Sequence, residues 1–258
     1  MTAGLSVVQF PCLQDNYGFL VRENESGVTA CIDTPELAPI LSALESRGWQ
    51  LDYILNTHHH PDHAGNNLAV KEATGCSIIG PAGEADRIPG IDHAVDDGDS
   101  VSLGNATARV YRTAGHTLGH IVYHFPEHST AFVGDTLFAM GCGRLFEGTP
   151  GQMWGSLTRI MQRMPDDTVI YCAHEYTEAN GRFALSVEPA NNRLIERMSA
   201  VRAARQNGQP TIPTTMAIEK ATNPFLRPSS PEIRQRLDMP DAADVEVFAE
   251  IRARKDRF

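Results

Sequence analysis

Over the first 175 residues, short β-branched and aromatic runs alternate with stretches of helical period, a pattern that predicts a mixed α/β region. Strands are expected over 5–10, 19–22, 28–32, 52–55, 76–79, 100–103, 107–113, 121–125, 131–134 and 169–171. Helices are expected over 36–47, 66–74 and 152–164. The last of these puts Met153, Leu157, Ile160, Met161 and Met164 on one face, a core stripe. Beyond Tyr171 strand signals all but vanish. Helical patterns over 191–206, 231–237 and 243–254 surround two Pro-containing passages, 209–213 and 223–228. The first turns Leu194, Ile195, Met198 and Val201 to one side, and the third turns Val245, Val247, Phe248 and Ile251 inward. The change of character predicts an α/β domain over 1–175 and a small helical one over 176–258.

The apolar run Tyr53-Ile54-Leu55 leads into Thr57-His58-His59-His60-Pro61-Asp62-His63, a loop dense in metal donors. In extended chain, residues two apart point the same way, so His58 and His60 face one point and His59, read as structural, faces elsewhere. Asp62 and His63, after the stiffening proline, address a second point. One ion with ligands at roughly 2.0–2.2 Å could hardly accept all four side chains, so two ions are the more economical reading.

Further donors stand where other strands end. His116 lies in Gly115-His116-Thr117-Leu118-Gly119-His120, Asp135 closes Phe132-Val133-Gly134-Asp135, and His174 closes Tyr171-Cys172-Ala173-His174. A carboxylate has two oxygens, so Asp135 could bridge two ions. His120 is expected to support the glycine turn or pack beneath the site, and His93, His124 and His128 carry no assigned role.

Composition narrows the partners. A net charge of −10 over 258 residues argues against a nucleic-acid surface and against anionic lipid, so an anionic substrate needs a local basic patch. The last ten residues supply one, with Arg252, Arg254, Lys255 and Arg257 against Glu250 and Asp256. No run approaches eighteen apolar residues, and the start shows neither a positive leader nor a long apolar core, so neither a membrane span nor a signal peptide is expected. Five scattered cysteines without a C-x-x-C pair suggest reduced, buried thiols in a cytoplasm.

Taken together, residues 57–63, Gly115-His116, Gly134-Asp135 and His174 resemble the ligand set of the metallo-β-lactamase superfamily. Gln14-Asp15-Asn16-Tyr17, residues 141–149, Ala173-His174-Glu175-Tyr176-Thr177, Asn223-Pro224-Phe225-Leu226-Arg227 and Arg252-Ala253-Arg254-Lys255-Asp256 further resemble the glyoxalase II, or hydroxyacylglutathione hydrolase, family over essentially the whole chain. The resemblance implies an α/β fold, the metallo-β-lactamase αββα sandwich, with a small all-helical C-terminal domain that helps hold glutathione. It implies two divalent metals, zinc foremost with iron or manganese as alternatives: one on His58, His60 and His116, the other on Asp62, His63 and His174, with Asp135 shared. Asp62 and Asp135 then carry catalysis. Arg144, Tyr176, Arg252, Lys255 and the backbone around Phe146 receive glutathione, with His174 beside them. Some family members carry Lys and Tyr where this chain has Arg144 and Phe146, so a hydroxyl contact made elsewhere is absent here.

The implied reaction is hydrolysis of S-2-hydroxyacylglutathione, such as S-D-lactoylglutathione, in methylglyoxal detoxification. Water shared by two divalent ions ionises near neutral pH and can attack a polarised thioester carbonyl. The departing thiolate, of conjugate-acid pKa near 8.5, needs no strong general acid. A monomer acting on a small glutathione thioester, with no nucleic acid or membrane partner, is expected. The rival within the superfamily is a mononuclear-iron glutathione persulfide dioxygenase; the full ligand set and the long helical tail favour the hydrolase.

Overall fold

The structure, a computed structural model, describes residues 4–258; Met1–Ala3, part of the start in which no leader is read, lie outside the described residues. These residues pack as two compact units. One runs to Thr113 and includes Leu118–Gly134; the other takes Ala114–Thr117 and Asp135–Phe258.

In the first unit the elements are β1 (Leu5–Cys12), β2 (Asn16–Glu23), β3 (Thr29–Ile32), α1 (Leu37–Arg47), β4 (Tyr53–Leu55), α2 (Pro61–Ala64), α3 (Asn67–Thr74), β5 (Ser77–Pro81), β6 (His93–Val95), β7 (Ser100–Leu103), β8 (Ala106–Arg112), β9 (Ile121–Phe125) and β10 (Thr130–Gly134). Strands β1 to β6 form one sheet in sequence order. The first three pair antiparallel. From β3 onward pairing is parallel, with Ile32 opposite Leu55 and Leu55 opposite Ile79. Parallel strands leave their sheet at a common edge, so the segments after β3, β4 and β5 emerge side by side. That edge is where ligands bind in open α/β sheets. Strands β7, β8, β9 and β10 are antiparallel neighbours in a second sheet.

Leu20, Cys31, Ile54 and Ile78 bury one face of the first sheet against Ile40 and Leu44 of α1 and Val70 of α3. On the opposite face Phe19 of β2 meets Phe132 of β10, ring centroids 5.8 Å apart. Each fully buried aliphatic side chain of this kind contributes about 1.5–3 kcal/mol. This anchors the short strand β4 although only three residues pair in it.

The second unit holds β11 (Leu137–Phe138), β12 (Gly141–Cys142), α4 (Pro150–Arg163), β13 (Val169–Cys172), α5 (Thr177–Val187), α6 (Asn192–Gln206), β14 (Thr214–Thr215), α7 (Met216–Thr222), α8 (Pro231–Leu237) and α9 (Asp244–Asp256). Thr149 caps α4 in a capping box with Gln152, and Met153, Leu157 and Ile160 are buried as the periodicity predicts. Two helices escape the pattern. The interior Gly181 weakens the signal of α5, yet any Cβ there would lie 1.9 Å from the Met198 sulfur, so glycine is what lets α5 and α6 approach. In α7, seven residues are too few to show a period. One predicted core position is corrected: Ile195 of α6 is 46 % exposed, because Leu194, Met198 and Val201 alone fill the buried face. No helix among the described residues is long and apolar enough to cross a membrane.

Candidate active site

Strand β4 delivers Asn56, Thr57 and His58, all fully buried, to the sheet edge. Asp33, the residue after β3, receives them: its Oδ1 accepts from the Thr57 amide at 2.7 Å, and its Oδ2 from the Thr57 hydroxyl at 2.8 Å. The same Oδ2 lies 2.7 Å from His63 Nδ1. A carboxylate can only accept, so His63 carries its proton on Nδ1 and turns the Nε2 lone pair outward. The Thr57 hydroxyl has spent its proton on Asp33, so it accepts from His58 Nδ1 at 3.1 Å. That contact gives His58 the same tautomer. Asp33 holds this place with a left-handed φ of 57°, a conformation Asp tolerates better than most residues.

His58 Nε2 lies 2.9 Å from His60 Nδ1, so these two imidazoles do face one point. Pro61 opens the one-turn helix α2, which carries Asp62 and His63. Asp62 Oδ2 sits 3.6 Å from His63 Nε2 and accepts from Asn16 Nδ2 at 3.1 Å. Candidate donor atoms of His58 and His60, of His58 and His63, and of Asp62 and His63 all come within 4.8 Å of each other. His59 turns away: its Nδ1 lies 2.6 Å from Glu84 Oε2. His120 is buried, stacks on His58 with ring centroids 4.8 Å apart, and bonds Thr113 at the start and end of its turn.

The second unit gathers the other donors. His116 Nδ1 donates to the Arg144 carbonyl at 2.9 Å, which leaves Nε2 to face Asp135 Oδ2 at 3.4 Å. His174 Nε2 faces the other oxygen, Oδ1, at 3.5 Å. Both separations exceed a good hydrogen bond. They match instead the spacing of about 3.4 Å between tetrahedral ligands each roughly 2.1 Å from a shared cation. Imidazole nitrogens with fixed tautomers and carboxylate oxygens form a donor set for a divalent cation, and the residues present fit one. A Cβ at Gly143 would lie 2.1 Å from the Asp135 carbonyl, so glycine is required where this turn wraps the site. Tyr176 stacks on His174, rings 3° from parallel, and Phe138 meets the pair edge-on.

A cavity of about 490 Å³ opens beside these groups, lined by His116, Asp135, Phe146, Tyr176, Arg252 and Lys255 among others. That volume suits a ligand of tripeptide size. Arg144 and Phe146 are exposed at its rim; the Phe146 ring meets His116 edge-on at 5.2 Å between centroids. Arg252 is 5 % exposed and partly committed: it donates to the Cys142 carbonyl at 2.9 Å and to Asp256 at 2.7 Å. Its Nε has no hydrogen-bond partner among the described residues. Burial first, and then Arg252, Arg182 and Arg144, push the Lys255 ammonium below the usual lysine range. The five cysteines are buried and outside any disulfide. Burial drives Cys142, the one in the cavity wall, up to about 11, so no thiolate nucleophile is present there.

Residues 28–174 match the metallo-beta-lactamase superfamily model, and residues 175–258 match the model described as hydroxyacylglutathione hydrolase C-terminus. Over 254 residues the chain is 56 % identical to the hydroxyacylglutathione hydrolase of Maricaulis maris, covering 98 % of this chain and 99 % of that one. It is 54 % identical to that of Methylococcus capsulatus, with the same coverage of each. The chain belongs to the hydroxyacylglutathione hydrolase family, glyoxalase II, of the metallo-β-lactamase superfamily. Its fold is the metallo-β-lactamase αββα sandwich with a helical C-terminal region. Solved structures share that fold at low identity. ETHE1 from Myxococcus xanthus has a TM-score of 0.66 at 23 % identity, over 97 % of this chain and 98 % of that one. TTHA1623, solved in a di-iron-bound form, has a TM-score of 0.61 at 22 % identity, over 86 % of this chain and all of that one. Among glyoxalase II residues, sequence reading passed over Asp33, Glu84 and Asn16 as contacts of the ligand loops. Asp33 left a signal as an acidic residue straight after a buried strand, and Asn16 one within the Gln14-Asp15-Asn16-Tyr17 motif, whereas Glu84 left none.

Proposed function

We propose that this chain, a thioester hydrolase by family, cleaves S-2-hydroxyacylglutathione, with S-D-lactoylglutathione as a substrate, to glutathione and the 2-hydroxy acid. The observation that carries the reading is the Asp135 carboxylate, with His116 and His174 at ligand spacing on its two oxygens. In this reading His58, His60 and His116 would hold one divalent ion and Asp62, His63 and His174 another, Asp135 would serve both, and zinc would be the resident metal. When bound, such ions lower the pKa of a coordinated water from 15.7 toward about 7 and polarise the substrate carbonyl.

The chain's own groups do the rest. Asp62, steadied by Asn16 at Oδ2, accepts the proton of the attacking water. The C–S bond breaks as the new C–O bond is completed, and the leaving thiolate of glutathione takes up a proton from solvent, since a thiol pKa near 8.5 makes it a good leaving group. Arg144, Tyr176, Arg252 and Lys255 receive the peptide: Lys255 and the Arg252 guanidinium supply positive charge toward a carboxylate, while the ring of Tyr176 and the backbone at Phe146 form the wall. The domain division in this reading is 1–175 for catalysis and 176–258 for glutathione, with the protein acting as a cytoplasmic monomer in methylglyoxal detoxification.

The test is hydrolysis of S-D-lactoylglutathione, before and after metal removal by a chelator. Activity lost on chelation and restored by zinc is expected. Oxygen uptake with a glutathione persulfide and no hydrolysis of S-D-lactoylglutathione would sink the proposal.

A further inference from the structure

We infer that Glu84 is a positioning residue of the metal centre: one buried carboxylate ties the loop carrying His58 and His60 to the turn that follows His116. The inference rests on reading those three histidines as ligands of one ion.

Glu84 lies in the short 3-10 helix Ala82–Arg87, directly after β5. Because β4 and β5 run parallel, with Leu55 opposite Ile79, this helix emerges beside the metal-donor loop. The Glu84 side chain is 2 % exposed. Its Oε2 accepts from the His59 backbone amide at 2.8 Å and faces His59 Nδ1 at 2.6 Å. Its Oε1 accepts from the Gly119 amide at 2.9 Å. Arg87 contacts His59 Nε2. A guanidinium only donates, so Nε2 accepts, and the ring proton sits on Nδ1, pointing at Glu84.

Two of these contacts decide the role. The His59 amide belongs to the peptide linking His58 to His59, so pinning it fixes the backbone between two donors whose side chains must converge. Gly119 lies three residues beyond His116. At Gly119 a Cβ would stand 2.5 Å from Glu84 Cγ and 2.9 Å from the Gly83 carbonyl carbon, so the turn is drawn against Glu84 as closely as a glycine allows. A carboxylate that merely braced the fold had no need of amides from two separate donor loops. Groups that orient ligands without touching the metal typically change metal affinity or activity by about 10–100-fold when removed.

The full-length chain and its E84A, E84Q and H116A variants are stripped of metal, checked by circular dichroism and thermal melting, and titrated with zinc against a chromophoric chelator. E84A is expected to weaken zinc by about 10–100-fold and to lower kcat by a similar factor. KM for S-D-lactoylglutathione should stay within about twofold, since transition-state rather than uniform binding is lost. E84Q should fall in between, because an amide has one acceptor oxygen where the carboxylate has two. It carries the test alone if E84A does not fold. H116A, which lacks a ligand of the ion read at His58 and His60, should lose that zinc and bind one equivalent fewer. Parental zinc affinity in H116A would overturn the metal reading and the inference with it. If H116A loses zinc while the folded Glu84 variants keep parental affinity and kcat, the metal reading stands and the inference alone is overturned.

Discussion

The donor loops of the first unit and the cavity wall of the second are built from opposite materials. In the first, buried carboxylates act from beneath: Asp33 receives Thr57 and His63, and Glu84 receives the amides of His59 and Gly119. Hydrogen bonds to a charged acceptor are short, directional and roughly twice as strong as neutral ones. They fix tautomers and peptide planes. In the second unit the groups around His174 are rings, Tyr176 stacked and Phe138 edge-on, and the far wall is the cationic end of α9. Rings and cations give area and charge without dictating one geometry. Under the proposed function the contrast separates two tasks, orientation of metal donors and capture of an anionic ligand, and each should fail in its own way.

The sharpest break of that contrast is Asp33→Ala. It removes the acceptor that sets the His63 tautomer directly and the His58 tautomer through Thr57. Zinc affinity and kcat should fall by up to about 100-fold with KM little changed; chelator competition and steady-state kinetics would check both. A rise in KM alone would blur the division.

Next in size is Lys255→Ala, in the other region. A lost charge-assisted contact to a carboxylate should raise KM about tenfold, with kcat and zinc affinity held. Its pH dependence has a definite sign. Lys255 binds an anion only when protonated, and burial among arginines lowers its pKa, so affinity is lost as pH rises through that lowered value. The rise in KM should therefore set in below the ordinary lysine range of roughly 10.4 and vanish in the alanine variant. A KM–pH profile from neutral to alkaline pH reads it directly, and identical profiles would take Lys255 out of the site.

The smallest effect is a gain. Phe146, 63 % exposed at the cavity rim, offers a ring and no hydroxyl. Phe146→Tyr should lower KM by the worth of one hydrogen bond, about 0.5–1.5 kcal/mol. An unchanged KM would place the ligand away from that rim.

The candidate donors were legible in the chain as residue types at strand ends and turns. His58, His60, Asp62, His63, His116, Asp135 and His174 each follow an apolar run or a glycine turn, and the structure sets His58 facing His60 and Asp135 between His116 and His174. Parity correctly turned His59 away. Asp33 and Glu84 were not legible as supports, since the donor loop lies 24 residues beyond Asp33, between Asp33 and Thr57, and 25 residues before Glu84, between His59 and Glu84. Helix α5 was lost to Gly181, whose cost to helix propensity is visible locally while its packing against Met198 is not. The inward placement of Ile195 failed for a related reason: a stripe tells which face is apolar but not how wide its neighbour is.

The amino-acid sequence by itself determined which side chains could bind a metal, where strands would present them, and where the helical tail and its positive charge begin, because those depend on residue chemistry and short-range period. Only the tertiary structure decided which carboxylates hold the donor loops, which imidazole nitrogen each histidine presents and how much of Arg252 is already spent. Each of those depends on which distant segments pair and in what register, and no local pattern carries that information.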